Sequence, residues 1–346
     1  MTDDTAKQLD RLKDESDPVA QLAEKVRAAL KRGPLTLAEL SSKLDRGVNV
    51  IESAVEWLTA NNYNVRIAGS AVEAPSDLPA GGEIRIDPKL YRGRKFKFGF
   101  ITDNHMCSKY ERLDVANALY DLYEEAEIPI VFNAGNILDG RCRFNQFDLI
   151  PGCESMEGQI NYFTQHYPQR KNILTKFIAG DDHEGWWAQR EGVDIGRLME
   201  SRAADAGRED LEYIGYLEAD VLLKAPKGET WIRVMHPGGG SAYAISYAPQ
   251  KIVESFQGGE KPNILLIGHY HKMDFCYPRN VFCISGGCTQ DQTPFMRKKK
   301  LEAHVGGWLC EAELADDGHV SRLRAEFVPF YDKSFYHGKK EKFPRW

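Results

Sequence analysis

The sequence predicts an α/β fold preceded by a small helical domain, and three observations predict it. Beyond about residue 96, apolar strand-like runs alternate with helical stretches, the pattern of sheets covered by helices. Five of those runs end in clusters of Asp, Asn and His. Ahead of them lies a compact helical segment with apolar residues four apart. A chain of 346 residues also exceeds what one small core usually fills, so a large domain with a companion is the expected arrangement.

The elements follow in order. Leu22, Val26 and Leu30 share one helical face, and Gly33-Pro34 stops that helix. Thr36 with Glu39 three residues on forms a capping box for a second helix with Leu37, Leu40 and Leu44 inward. A third runs from about Asn49 through Ile51, Val55 and Leu58 to Asn61-Asn62, followed by extended pieces at Tyr63–Ile67 and Glu83–Ile86. Three helices and a ribbon over residues 19–87 resemble the winged-helix family in element order. The Pro, Gly and Ala-rich stretch Ala74–Gly82 reads as a linker or wing tip. The expected domains are an acidic tail 1–18, the winged-helix-like domain 19–87, a basic linker 88–95, the α/β domain 96–331 and a basic tail 332–346. Helices are expected near Arg112–Ala126, Ser155–Gln165, Val193–Ala204 and Ala244–Phe256.

Composition narrows the classes. Hydrophobic residues are 42% and charged residues 28%, and no apolar run approaches the roughly 20 residues of a membrane span. Met1–Asp17 has three basic and six acidic residues and no apolar stretch, unlike a secretory signal, so a cytoplasmic protein without membrane partners is expected. Seven cysteines without a C-x-x-C pair read as free, mostly buried thiols. The net charge of −6 excludes an indiscriminate polycation, so any nucleic-acid contact is local.

The polar clusters carry the chemistry. Phe96–Ile101 leads into Asp103-Asn104-His105, Ile130–Phe132 into Gly135-Asn136-Ile137-Leu138-Asp139, and Ile173–Ile178 into Gly180-Asp181-Asp182-His183-Glu184. Trp231–Met235 leads into His236, and Ile264–Ile267 into Gly268-His269-Tyr270-His271. Ligands gather beyond the carboxyl ends of strands in open α/β sheets, and five of the nine histidines sit there. Imidazole and carboxylate ligands suit Mn, Fe, Zn or Ni, and the ligand count is too large for one ion and about right for two. Paired metals are the usual clamp for displacement at phosphorus.

In order and strand context these residues resemble the calcineurin-like metallophosphoesterases over roughly Phe96–Phe330, with motifs D-x-H, G-D-x-x-D, G-N-H-D/E, a lone H and G-H-x-H. The whole is similar to phage-encoded members of exonuclease type. The resemblance implies a metallophosphoesterase-type α/β sandwich and two divalent ions, manganese first, with iron, zinc or nickel as alternatives. Asp103, His105 and His271 would hold one ion; Asp182, His236 and His269 would hold the other, with Asn136 between. His183, with Asp139, would be catalytic, touching the phosphate or the leaving oxygen while a hydroxide formed at the ions attacks.

The chain departs from that pattern at two places. The bridging position, Asp in the family, is Asn136, a neutral and poorer bridge. At Gly180-Asp181-Asp182-His183 an aspartate replaces the family's Asn, and a register with Asp181 as the ligand stays open. The expected function is a phosphodiesterase acting on nucleic acid. The alternatives are a small-molecule phosphomonoesterase or cyclic-nucleotide phosphodiesterase, and a binding module attenuated by Asn136. Trp186-Trp187, the glycines after His236, and the polar-then-basic loop Thr289–Lys300 are each candidates for substrate contact and equally for ordinary packing, turns or a solvated face. The presumed recognition helix carries Glu52 and Glu56 but no Lys or Arg after Arg46, so the helical module fits protein docking as well as nucleic acid.

Overall fold

The structure, a computed structural model, describes residues 18–30, 34–60, 65–68, 71–73, 84–91, 94–141, 145, 147–240 and 244–331. The expected acidic tail up to Asp17, the Ala74–Gly82 linker and the basic tail from Asp332 lie outside the described residues. The chain divides into two compact units, Met1–Leu78 with Ala188–Val193, and Pro79–Trp187 with Asp194–Trp346.

In the smaller unit α1 (Pro18–Leu30), β1 (Leu35–Thr36), α2 (Leu37–Leu44), α3 (Val48–Ala60), β2 (Arg66–Ala68) and β3 (Ala71–Glu73) follow one another. The capping box forms as expected. Thr36 Oγ1 accepts the Glu39 N–H at 3.1 Å, and Glu39 Oε2 accepts the Thr36 N–H at 2.7 Å. Leu22, Val26 and Leu30 meet Leu40, Ile51, Val55 and Leu58 in one core, closed by Val72. The three strands pair antiparallel in the order β1-β3-β2.

The larger unit begins earlier than the sequence predicts. Strand β4 (Ile84–Arg85), expected to belong to the small domain, pairs parallel with a strand of the larger one. The reason is apolar burial: Ile86 is buried in the larger core with Ile84 packed against it, while Arg85 points out to an ion pair with Glu229.

The remaining elements are β5 (Lys95–Ile101), α4 (Leu113–Glu125), β6 (Ile130–Asn133), α5 (Met156–His166), β7 (Leu174–Ala179), α6 (Gly185–Glu191) and α7 (Ile195–Asp205). Then come β8 (Leu211–Tyr216), β9 (Glu218–Ala225), β10 (Gly228–Met235), α8 (Tyr247–Ser255), β11 (Ile264–Ile267), β12 (Met273–Cys276), β13 (Phe282–Gly286), α9 (Pro294–Lys299), β14 (Val305–Leu314) and β15 (Val320–Phe330). Two six-stranded sheets result, in the orders β15-β14-β5-β6-β7-β8 and β12-β13-β11-β10-β9-β4. This is the two-sheet α/β sandwich expected from the sequence.

Alternation along the strands explains the layers. Phe96, Phe98 and Phe100 of β5 face Val221, Leu223, Ile232, Val234, Ile264 and Leu266 across the central core. On β11 the intervening Leu265 and Ile267 point the other way, into a cluster with Val253 and Phe256 from α8 and its end. A strand buried on both faces reads as a continuous apolar run, and Ile264–Ile267 does. The Tyr123 ring of α4 lies on β5 at Gly99, where a Cβ would sit 2.9 Å from it.

One short helix differs from expectation and another follows one of its two readings. Within the loop read at Thr289–Lys300, α9 forms because Thr293 Oγ1 accepts the Met296 N–H at 3.2 Å and Pro294 occupies the first turn. Trp186 and Trp187 lie on α6, with Trp187 buried, which is the packing reading for that residue. No helix among the described residues is long and apolar enough to cross a membrane.

The β5–α4 contact is directly testable. Gly99→Ala should lower the unfolding free energy by about 1–3 kcal/mol, because the added methyl meets an aromatic ring in a packed layer. Denaturant unfolding measures it, and an unchanged midpoint would contradict the close approach.

Candidate metal centre

The loops after β5, β6, β7, β10 and β11 meet at one edge of the sandwich, drawn from both sheets. Backbone bonds tie them together: the Asp103 N–H donates to the Gly135 carbonyl (3.0 Å) and the His105 N–H to the Asn136 carbonyl (3.0 Å). From the other sheet, the His236 ring reaches the Ala134 carbonyl and the His269 N–H reaches Asp103 Oδ2. Asp103, His105, Asn136, His269 and His271 all hold positive φ, between 47° and 78°. Asp, Asn and His enter this region more readily than other non-glycine residues, yet each such residue still costs about 1–2 kcal/mol. Five together mark a site that its surroundings hold in place.

Asp103 is fully buried. Its Oδ2 accepts the Thr102 hydroxyl and the His269 N–H, both at 2.8 Å, which leaves Oδ1 facing the site. Oδ1 lies 3.4 Å from His271 Nε2 and 3.8 Å from His105 Nε2, and those two nitrogens are 3.0 Å apart. Ligand atoms bound to one ion at about 2.1 Å are about 3.0–3.4 Å from each other. The expected triad Asp103, His105 and His271 is therefore brought together at nearly the spacing of ion ligands.

Burial opposes a charged His105, but bonds to Asp103 and Asp139 outweigh it and raise its pKa from 6.5 to about 9. The ring then donates from Nδ1 to Asp139 Oδ1 (3.1 Å) and from Nε2 to His271. Asp103 is held well below its ordinary pKa: burial opposes the charge, and His105 and His271 overcome it. Burial lowers His271, so the pair shares one proton.

His236 is arranged as a ligand from the other side. Its Nδ1 lies 2.6 Å from the Ala134 carbonyl, and since a carbonyl only accepts, Nδ1 carries the proton. Nε2 therefore presents a lone pair, and it is buried without a partner. Burial drops this ring's pKa to about 4. Asn136 donates weakly to Asp103 Oδ1 (3.4 Å) while its own Oδ1 is buried and unpartnered, as is His271 Nδ1. The orphaned Asn136 Oδ1 and His236 Nε2, both lone-pair atoms beside a buried carboxylate, fit a cationic guest. Gly180 keeps that space: a Cβ there would sit 2.2 Å from Asn136 Oδ1.

The second expected set, Asp182, His236 and His269, needs a correction. Asp182 is exposed, whereas Asp181 is buried and its charge is felt by His236. After Gly180 the first aspartate is buried and the second faces solvent. His236 and His269 are adjacent, with rings 5.2 Å apart, and His269 Nε2 is bound to the Gly239 carbonyl at 2.6 Å. Among the described residues a second group within ion-binding reach is His105, Asp139 and His183. His183 Nδ1 lies 2.7 Å from the Asp139 carbonyl and its ring stands edge-on to His105. Burial and the neighbouring His105 charge take its pKa down to about 3.

Sequence reasoning missed the residues behind the site. Glu184, fully buried, accepts the N–H groups of Gly180 (2.8 Å) and Leu138 (3.0 Å), clamping the two loops; burial raises it to about 7. Asn145 Nδ2 holds Asp139 Oδ2 at 2.8 Å. Asn133 Oδ1 accepts the Gly135 N–H, and its Nδ2 donates to Asn104 Oδ1 (2.7 Å) and the Tyr167 hydroxyl (3.0 Å). Asn133 closing an apolar strand was a readable signal.

No family model and no curated protein matches the chain. Among solved structures it is similar to an archaeal phosphodiesterase, 12% identical with TM-score 0.34, over 67% of this chain and 100% of that one. It is also similar to the phosphoesterase Yfce from E. coli, 13% identical with TM-score 0.35, over 66% and 98%. A third is Vps29 from Entamoeba histolytica complexed with zinc, 14% identical with TM-score 0.31, over 68% and 100%. At such values the chemistry must be argued from the site itself.

The shared proton makes a prediction. A divalent ion must displace it, so binding near pH 7 releases a proton and tightens as pH rises towards about 9. Titration calorimetry in two buffers of different protonation enthalpy should give different heats; equal heats would contradict a protonated His105. The same raised pKa stabilises the metal-free fold below about 6.5, a contribution lost as pH climbs through about 9.

Proposed function

We propose that the chain is a two-metal phosphodiesterase acting on nucleic acid. Asp103, His105 and His271 would hold one divalent ion, and Asn136, Asp181, His236 and His269 the other, with manganese favoured. The observation that carries this reading is the Asp103–His105–His271 triangle beside the unpartnered Asn136 Oδ1 and His236 Nε2. When bound, such ions polarise a phosphoryl oxygen and make water acidic enough to ionise near neutral pH.

The chain's own groups complete the chemistry. Thr102 and the His269 amide orient the Asp103 carboxylate, and the Ala134 carbonyl fixes the tautomer of His236. His183, with Nδ1–H committed to the Asp139 carbonyl, keeps Nε2 as an acceptor in the neutral ring. To donate to a leaving oxygen it must take up a proton, and the Asp139 carboxylate 3.6 Å away favours that form. Asp139 thus acts through both His105 and His183.

Nucleic acid is supported by the attached small unit. Its order of helix, strand, two helices and two strands, with sheet order β1-β3-β2, supports the winged-helix reading. The basic stretch Lys89, Arg92, Arg94, Lys95 and Lys97 adds less, because Arg94 pairs with Asp316, Lys95 with Glu311 and Glu313, and Lys97 donates to the Ala126 carbonyl. One observation favours a second reading, an attenuated binding module: the neutral amide of Asn136 at the bridging position.

Hydrolysis of bis-para-nitrophenyl phosphate with manganese tests the proposal, and no turnover in either the parent or Asn136→Asp would sink it. Asn136→Asp should raise the rate by restoring a charged bridge; an equal or lower rate at saturating manganese would assign the compensating charge to Asp181. In the active background, His183→Gln should lower turnover by roughly 100-fold with metal content intact. Loss of metal in that variant would make His183 a ligand instead.

A further inference from the structure

Beside the metal centre three chain segments run side by side. The middle one, Ser108–Arg112, follows His105. On one flank Ser108 pairs with Leu149, and the Lys109 N–H donates to the Asp148 carbonyl at 2.7 Å. On the other, Glu111 pairs with Gln290, and the Asp291 N–H donates to the Tyr110 carbonyl at 2.8 Å. With neighbouring strands about 4.8 Å apart, the three make a platform on the order of 10 Å across. Both flanks are anchored at the site. Asn145, just before the first flank, holds Asp139, and Thr289, just before the second, donates its N–H to the Asp103 carbonyl at 3.1 Å.

Each edge of this platform carries a feature that the metal site does not use. Phe147 is 87% exposed, more than any other large apolar residue among those described. The Lys109 ammonium donates to its carbonyl at 2.6 Å, so a cation sits beside the aromatic residue. At the opposite edge, α9 and its cap present Arg297, Lys298, Lys299 and Lys300, all exposed, in a chain of net charge −6. None of these four is ion-paired among the described residues. A single exposed Phe is ordinary. One placed two residues from the residue that holds Asp139, next to a lysine and across from four unpaired cations, is the pattern of a stacking surface with a phosphate-binding flank.

We propose that this platform is a track for single-stranded nucleic acid, in which Phe147 stacks an unpaired base while Lys109 and the α9 cations hold backbone phosphates. Duplex bases hide their faces in the stack, so an exposed ring selects for unpaired strands. An acidic protein would meet the cations but leave the ring without a role. The inference rests on the phosphodiesterase reading for its substrate class and adds where, and in which strand form, that substrate lies.

Fluorescence anisotropy of a short labelled oligothymidine with the full chain, without divalent metal so that nothing turns over, tests the track. Phe147→Ala should weaken binding about 5- to 100-fold. Lys298→Gln with Lys299→Gln should weaken it too and flatten its salt dependence, by about 0.7 in logarithmic slope for each lost phosphate contact. Wild-type affinity in both variants, no binding by the parent, equal affinity for duplex, or equal displacement by polyglutamate would each overturn the track. Diester hydrolysis measured alongside separates the two ideas. A Phe147 effect on binding in a chain that hydrolyses no diester keeps the track and fails the enzyme, whereas hydrolysis with unaltered binding in both variants does the reverse.

Discussion

A fully buried carboxylate that must stay charged organises the larger unit. Asp103 has no water to solvate it, and an uncompensated buried charge costs several kcal/mol. Compensation comes from four directions: the Thr102 hydroxyl, the His269 amide, His105 and His271. Those partners come from two loops on opposite sheets, so meeting the charge of one side chain also fastens the two sheets at that edge. The raised pKa of His105 sets a positive charge against the Asp103 and Asp139 carboxylates, the charge a divalent cation would supply there instead.

The sandwich explains why the cluster can be strained and still persist. Strands β5, β6 and β7 run parallel in one sheet, as do β10 and β11 in the other, so five loops leave the core at the same edge. The loops after β5, β6 and β11 turn at once, and the positive φ values of Asp103, His105, Asn136, His269 and His271 are the form that turn takes. Phe98, Phe132, Val234 and Leu266 behind them are wholly buried, so the strand ends cannot relax. Glu184, holding the Gly180 and Leu138 amides, joins two of the loops to each other.

Much of this was legible in the sequence, for a physical reason. A strand buried on both faces, such as β6 or β11, must be a nearly unbroken apolar run, so its end is conspicuous, and polar clusters after five apolar runs locate a site. The Asp103, His105 and His271 set was read from the resemblance those clusters carry, and the structure brings its three side chains within ion-binding reach. The choice between Asp181 and Asp182 was not legible, because both are short carboxylates and only the direction of the turn after Gly180 decides which is buried. Strand β4 was assigned to the wrong unit since two apolar residues, Ile84 and Ile86, do not say which core they enter. Helix α9 was hidden by composition: its run of cations reads as a solvated loop, and the Thr293 cap that starts it is evident only with the backbone in view.

The most direct test is anomalous diffraction from a crystal of this chain soaked in manganese. The account predicts a peak inside the Asp103–His105–His271 triangle and a second beside Asn136, Asp181 and His236. An empty triangle, or a manganese bound through Asp182, would contradict it.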